Sequence, residues 1–398
     1  MKVALEPASV RGFRFAGVSA GLKTKAGALD LGIIAADRPA AAAAVFSANR
    51  VKAAPVYVTA DRVKSGRLQA IVANSGCANS FTGEAGMRLA RESCAYAAQL
   101  LQCVPELVVP SSTGVIGHLY DFDKFKNGAA DAVRSLREDG LSDFAHAIMT
   151  TDTRAKIAST TFKAGGSTVT LAGAVKGVGM ISPKMATMLG YLVTDAAIAS
   201  PLLKKSLKAA LPTSFNAITV DGDMSTNDTV IIMASGAAEN RAFGARDQAV
   251  FDRAVEEVSA ALARELVRDG EGATKLVTVE VRGARTIADA ERAARQIANS
   301  PLVKTAFFGC DPNVGRILMA AGSSGAYLES DKLVLWIGGV KVAANGRLLT
   351  EALADAGTAM KQREFLVRLD LRLGKSSTTI LTCDLSYDYV RINAEYTT

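Results

Sequence analysis

Between Lys176 and Ala196 the chain reads KGVGMISPKMATMLGYLVTDA, a glycine-rich approach and a proline, Pro183, that lead to Ala186-Thr187 just ahead of an apolar run. A threonine set there can become a nucleophile. If the backbone is cut before Thr187, the residue gains an α-amine, a group that ordinarily titrates at about 7.7–8.0, close enough to neutrality to take the proton from its own hydroxyl. One residue then supplies both nucleophile and base. The Thr187 hydroxyl can make the cut itself by attacking the Ala186 carbonyl, and the small Ala186 side chain leaves that approach open. Read alone, the same residues also fit a strand entered from a glycine loop.

Acyl transfer through such a residue puts negative charge on the former carbonyl oxygen, so hydrogen-bond donors must already face it. The segment SSTGVIG (111–117) follows a predicted strand, and a small Thr-Gly turn can offer the Thr113 hydroxyl together with the Gly114 amide; an ordinary turn is the other reading. Competing chemistries are poorly supported. The histidines are His118 and His146, with no HExxH and no clustered Cys/His ligands, so no metal site is expected. His118 stands four residues after Gly114 but reads as a hydrogen-bonded structural histidine, because a Thr187 amine needs no imidazole. LGKSS (373–377) has Leu369 where a P-loop needs its first glycine, and GVGMIS (177–182) breaks GxGxxG at Ser182.

The elements that would position these residues alternate strand and helix with short glycine-punctuated loops, the pattern of an α/β or α+β protein. Strands are predicted over 69–74, 107–110, 168–174, 188–194, 217–221 and 276–281, which are rich in Val, Ile and Leu. Helices are predicted over 84–102, 123–138, 201–211 and 248–268, where apolar residues recur three or four apart. The last ends at Asp269-Gly270, a C-cap with Glu271 emerging beyond it. From about Thr286 a helix over DAERAARQIAN and strands over 303–308, 332–337, 364–371 and 378–385 read as a separate C-terminal lobe, giving domains of 1–285 and 286–398.

Composition agrees with a globular chain. At 398 residues and 49% hydrophobic content it can bury a sizeable core in two or three lobes. Its longest apolar runs, such as PAAAAAVF (39–46), fall short of the ~18 residues needed to cross a bilayer. The start MKVALEPASVRGFRF lacks a signal-peptide core, so a cytoplasmic location with no membrane partner is expected. The five cysteines are odd in number, lack CxxC spacing and read as reduced, mostly buried thiols. The net charge of +7 is scattered among acids rather than gathered into a run, which argues against a nucleic-acid partner.

The chain resembles the ornithine acetyltransferase (glutamate N-acetyltransferase) family of arginine biosynthesis nearly from end to end. The likeness is carried by GFRFAGVSAGLK (12–23), ANRVKAAPV (48–56), NSGCANSFTGEAG (74–86), SSTGVIG (111–117), IMTTDT (148–153) and the Thr187 segment. It continues through SFNAITVDGDMSTNDTV (214–230), RDGEGATKLVTVEVRGA (268–284), GCDPNVGRIL (309–318) and YVRINAEYTT (389–398), all in one order. This chain departs from the usual pattern at Lys184, where asparagine is common, at Val314, where tryptophan is frequent, and at Pro212.

The resemblance implies a layered αββα sandwich of the self-cleaving threonine-nucleophile type with an added C-terminal α/β lobe. It implies self-cleavage between Ala186 and Thr187 into chains 1–186 and 187–398, and an assembly of two of each. The implied activity is ping-pong transfer of acetyl from N2-acetyl-L-ornithine to L-glutamate through acetyl-Thr187, with no metal or bound cofactor. Some relatives also take acetyl-CoA as donor. Thr113 and Gly114 carry over as the oxyanion hole, and Thr150, Lys176, Thr187, Glu271, Asn393 and Thr398 as substrate contacts. Lys176 suits an α-carboxylate and Glu271 an amine, although the bare sequence also allows both to be solvated charges. The alternatives are a threonine-nucleophile aminopeptidase or amidase, and a non-catalytic binding protein on the same fold.

Overall fold

The computed structural model describes residues 1–182 and 188–395, so Ala186, Thr187 and Thr398 lie outside the described residues. The chain forms two compact units, one of Met1–Asn216 and Met224–Leu266, the other of Ala217–Asp223 and the chain from Val267 onward.

The first unit carries strands β1 (Phe13–Val18), β2 (Leu31–Phe46), β3 (Arg67–Cys77), β4 (Val108–Val115), β5 (Lys156–Ala164), β6 (Ser167–Lys176), β7 (Leu189–Thr194) and β8 (Thr229–Ala234). Its helices are α1 (Ala54–Arg62), α2 (Gly83–Leu101), α3 (Phe122–Arg134), α4 (Leu141–Ala147), α5 (Ser200–Ala210) and α6 (Ala245–Arg268), whose last residues belong to the second unit. Strand β2 joins two sheets. Its first half pairs with β1 and β3, its register shifts between Ala35 and Ala40, and its alanine-rich second half pairs with β8. Beyond β8 the order runs β7, β6, β5. Pro39 falls inside the shift, where a missing N–H does least harm to the ladder.

Packing follows the alternation of side chains along these strands. Ala16, Leu31, Ile33, Ala70, Val72 and Val108 face α2 and α3, burying Cys94, Ala97, Phe125 and Ala129. The opposite faces of the same strands present Phe13, Phe15, Ile34, Ile71 and Val109 to Ile157, Ala172, Ala174, Tyr191, Ile231 and Met233 of the other sheet. Burial of each such large side chain contributes roughly 1.5–3 kcal/mol. On the far side α6 covers β5 and β6, where Phe251 meets Phe162 with ring centroids 6.1 Å apart. The layers are therefore α, β, β, α, as expected.

The second unit holds β9 (Leu276–Ala284), α7 (Ile287–Asn299), α8 (Pro301–Phe308), α9 (Val314–Gly322), β10 (Val334–Ile337), β11 (Val340–Ala344), β12 (Arg347–Leu348), α10 (Leu353–Met360), β13 (Glu364–Asp370), β14 (Ser376–Cys383) and α11 (Tyr387–Glu395). Its sheet runs β12-β11-β10-β13-β9-β14. Because β9 is paired on both sides, the unit begins at Val267 rather than at the boundary near 285 read from sequence.

Three predicted elements differ. The apolar stretch 303–308 is helix α8, not a strand, because Ser300 caps the Val303 amide, Pro301 opens the first turn, and Val303, Ala306 and Phe307 bury one helical face. Residues 217–221 make no strand: a 3-10 turn ends at Ala217 and Ile218 forms only an isolated bridge to Leu381. Helix α3 stops at Arg134 instead of 138, since Arg137 exchanges backbone hydrogen bonds of 3.1 and 2.8 Å with Phe15. All five cysteines are free thiols, with Cys77, Cys94 and Cys383 buried.

Candidate active site

The C-terminal end of β4 is shaped by close contact with β3. Their parallel ladder shifts register at Gly76-Cys77, where Gly114 takes φ +129°, a conformation rare for residues with a side chain. A Cβ on Gly114 would lie 2.3 Å from the Gly76 carbonyl carbon, so only glycine fits. Thr113 and Gly114 thus stand in a bulged strand end rather than in a turn after it, and bulges re-aim the groups they carry. A buried amide network fixes this end. Ser112 Oγ donates to Asn74 Oδ1 at 2.6 Å, and Asn227 Nδ2 donates to the Ser112 and Ala78 carbonyls at 2.8 and 2.7 Å.

Lys176, the last residue of β6, brings the predicted residues of the first unit together. Its Nζ donates to Thr150 Oγ1 at 2.8 Å and to Thr113 Oγ1 at 3.1 Å. At 9% exposure it is no solvated charge. Behind it lies Asp152, whose Oδ2 accepts from the Thr150 amide at 2.9 Å and whose Oδ1 accepts from Lys156 Nζ at 2.6 Å and the Gly177 amide at 2.9 Å. Burial pushes the Asp152 carboxyl up, but the charges of Lys176 and Lys156 and these hydrogen bonds outweigh it and hold the group at about 2. The trio of Lys156, Lys176 and Asp152 carries net positive charge, a setting that attracts a small carboxylate. Lys23 also feels Asp152 and Lys176, with burial lowering its pKa.

Glu271 and Asn393 meet in the second unit. Asn393 Nδ2 donates to Glu271 Oε2 at 2.8 Å and to the Tyr389 carbonyl at 3.0 Å, and Glu271 is buried. The loop bearing Glu271 is anchored by Ser386 Oγ on the Gly272 carbonyl at 2.6 Å and by Asp384, which accepts from the Thr274 and Lys275 amides at 2.8 Å each. Burial, then the charges of Asp221 and Glu271, push the Tyr389 hydroxyl up.

His118 is exposed, contrary to a hydrogen-bonded structural role; its carbonyl accepts from Cys77 Sγ at 3.0 Å. Sequence reasoning missed Asp152. Asp152 had a readable signal, lying two residues after Thr150 and four before Lys156. Among the described residues no cluster of His, Cys, Asp and Glu could hold a metal ion.

A layered αββα unit that gathers a hydroxyl pair, a buried lysine and a glycine-forced strand end defines an α/β enzyme with a preformed polar site. The chain belongs to the ArgJ family, whose model matches residues 14–398. It is 49% identical to the arginine biosynthesis bifunctional protein ArgJ of Geobacter sulfurreducens over 98% of this chain and 100% of that one. It is 46% identical to the protein of that name from Symbiobacterium thermophilum, over 97% of each. The crystal structure of the ArgJ protein from Bacillus halodurans is 41% identical, covers 53% of this chain and 100% of its own, and superposes with a TM-score of 0.51.

Proposed function

We propose that this chain is a self-processing acetyltransferase of arginine biosynthesis that moves acetyl from N2-acetyl-L-ornithine to L-glutamate. The observation that carries the reading is Lys176 held on both Thr113 and Thr150 in a chain of the ArgJ family. Scission between Ala186 and Thr187 frees the Thr187 amine, which takes the proton of its own hydroxyl. The hydroxyl attacks the acetyl carbonyl of acetylornithine, and the Thr113 hydroxyl and Gly114 amide receive the charge on its oxygen. Ornithine leaves with the proton, and glutamate attacks acetyl-Thr187 through the same intermediate in reverse. The family likeness supports Lys176 as the contact for a substrate carboxylate and Glu271 as the contact for an amine, with Thr150, Thr187, Asn393 and Thr398 as further substrate contacts. The acetyl group passes between amides of similar energy, so no bound cofactor is required.

The cut chains 1–186 and 187–398 assemble as two of each in the cytoplasm. No described helix is long and apolar enough to cross a membrane. Intact mass spectrometry tests the whole reading: the protein should run as two fragments, and brief exposure to acetylornithine should add one acetyl group to the fragment beginning at Thr187. Thr187→Ala should abolish both the cut and the adduct, and survival of either overturns the nucleophile. Acetate released without glutamate would identify a hydrolase instead, and acetyl-CoA in place of acetylornithine reports on a second donor.

A further inference from the structure

The loop between β1 and β2, residues 19–30, folds over the bulge that shapes the end of β4. Asp30 holds it there. This buried carboxylate accepts from the Ala20, Leu22 and Lys23 amides at 2.6, 2.6 and 2.9 Å, and the Asp30 carbonyl accepts from the Ser75 amide at 2.9 Å. A Cβ on Gly76 would lie 3.1 Å from both the Leu22 carbonyl oxygen and Lys23 Cγ, so the lysine side chain is laid against the residue that packs on Gly114. Lys23 Nζ donates to the Leu29 carbonyl at 2.7 Å and makes no ion pair among the described residues. Asp30, the acid nearest to it in sequence, spends both oxygens on backbone amides. Burial, ahead of the attraction of Asp30 and Asp152, lowers the Lys23 pKa, and Lys176 is among the charges it feels. A half-buried ammonium with spare donors and no counter-ion is unfavourable unless an anion arrives to use it.

The exchange itself says which anion. Two amino acids pass through one site in turn, and both bring a carboxylate on the α-carbon, for which Lys176 is the supported contact. They differ at the far end of the side chain, where ornithine carries an ammonium and glutamate a second carboxylate. Glu271 suits an amine and repels that carboxylate, so glutamate needs another cation. Resting on the reading above, we propose that Lys23 selects the acceptor, its ammonium binding the side-chain carboxylate of glutamate while Lys176 takes the other. The same charge repels the side chain of ornithine, which favours departure of the first product and entry of the acid. No bond is made or broken at Lys23. The contact is to a part of glutamate remote from the reacting nitrogen and holds equally before and during the attack, so it acts on KM and not on kcat.

Lys23→Met keeps the length of the side chain and removes its charge. In that variant the KM for glutamate should rise roughly tenfold or more at similar kcat, while the KM for acetylornithine stays level or falls. The preference for glutamate over glutamine as acceptor, read as a ratio of kcat/KM, should shrink by a similar factor, which a merely structural lysine would not produce. An unchanged glutamate KM and an unchanged ratio, in a variant that still takes acetyl from acetylornithine, overturn the proposal while leaving the acetyltransferase reading intact. A second measurement does not depend on that variant folding. In wild-type protein, reductive methylation of Lys23, followed by peptide mass spectrometry, should be slowed by the product N-acetyl-L-glutamate and far less by N-acetyl-L-glutamine. Protection by neither, or by both alike, overturns the assignment. A wild-type chain that takes no acetyl from acetylornithine overturns the parent reading and this one with it.

Discussion

Thr113 and Asp152 show how single side chains divide the work. Thr113 accepts a hydrogen bond from Lys176 and, in the proposed reaction, offers its own proton to the oxyanion. Thr113→Val keeps the volume and loses the hydroxyl, so kcat should drop by roughly 10²- to 10³-fold with little change in KM, measured with saturating glutamate. Asp152 acts through others, holding Thr150 and Gly177 by their amides and the lysines by charge. Its folded pKa of about 2 lies below the reference value of 3.8, so its stabilisation is present above about pH 4 and is lost as pH falls through 2. Linkage puts that contribution at about 2 kcal/mol. Urea unfolding should follow this drop between pH 4 and 2. Asp152→Asn should lack it while starting about 3–5 kcal/mol less stable at pH 7 from a broken buried pair.

At the scale of elements, the end of β4 depends on a glycine that no side chain can replace. Gly114→Ala should lose about 1–3 kcal/mol of stability, from the forced backbone conformation, and most of its kcat, because relief of the 2.3 Å contact moves Thr113. An unchanged urea midpoint together with unchanged kcat would remove the bulge from the mechanism. Most elements were legible in sequence because their apolar periodicity agrees with their burial, as in α2, α6, β6 and β7. Helix α8 was not, since VKTAFF carries β-branched and aromatic residues at either period, and only the Ser300-Pro301 start decides between them. The site was legible in part. Thr113, Thr150 and Lys176 do come together, yet the bulge beneath Thr113 and the seating of the Asp152 carboxyl on the Gly177 amide depend on segments meeting across long sequence separations.

For the whole molecule, the decisive strand is β2, which belongs to both sheets. The layered order was readable through the family likeness, whereas periodicity alone yields only alternating strands and helices. The pairing of β2 with β8 and of β6 with β7 joins segments on opposite sides of Ala186-Thr187. A chain severed there is therefore still sewn together along two ladders. Renaturation should reveal the change. The uncut Thr187→Ala precursor should regain its structure at a rate independent of concentration, whereas the severed protein, diluted from urea, should recover with second-order kinetics or precipitate, because ring closure within one polymer has become an encounter between two. If the backbone is severed as proposed, assembly becomes a one-way event, and each molecule has a single opportunity to fold as a unimolecular species.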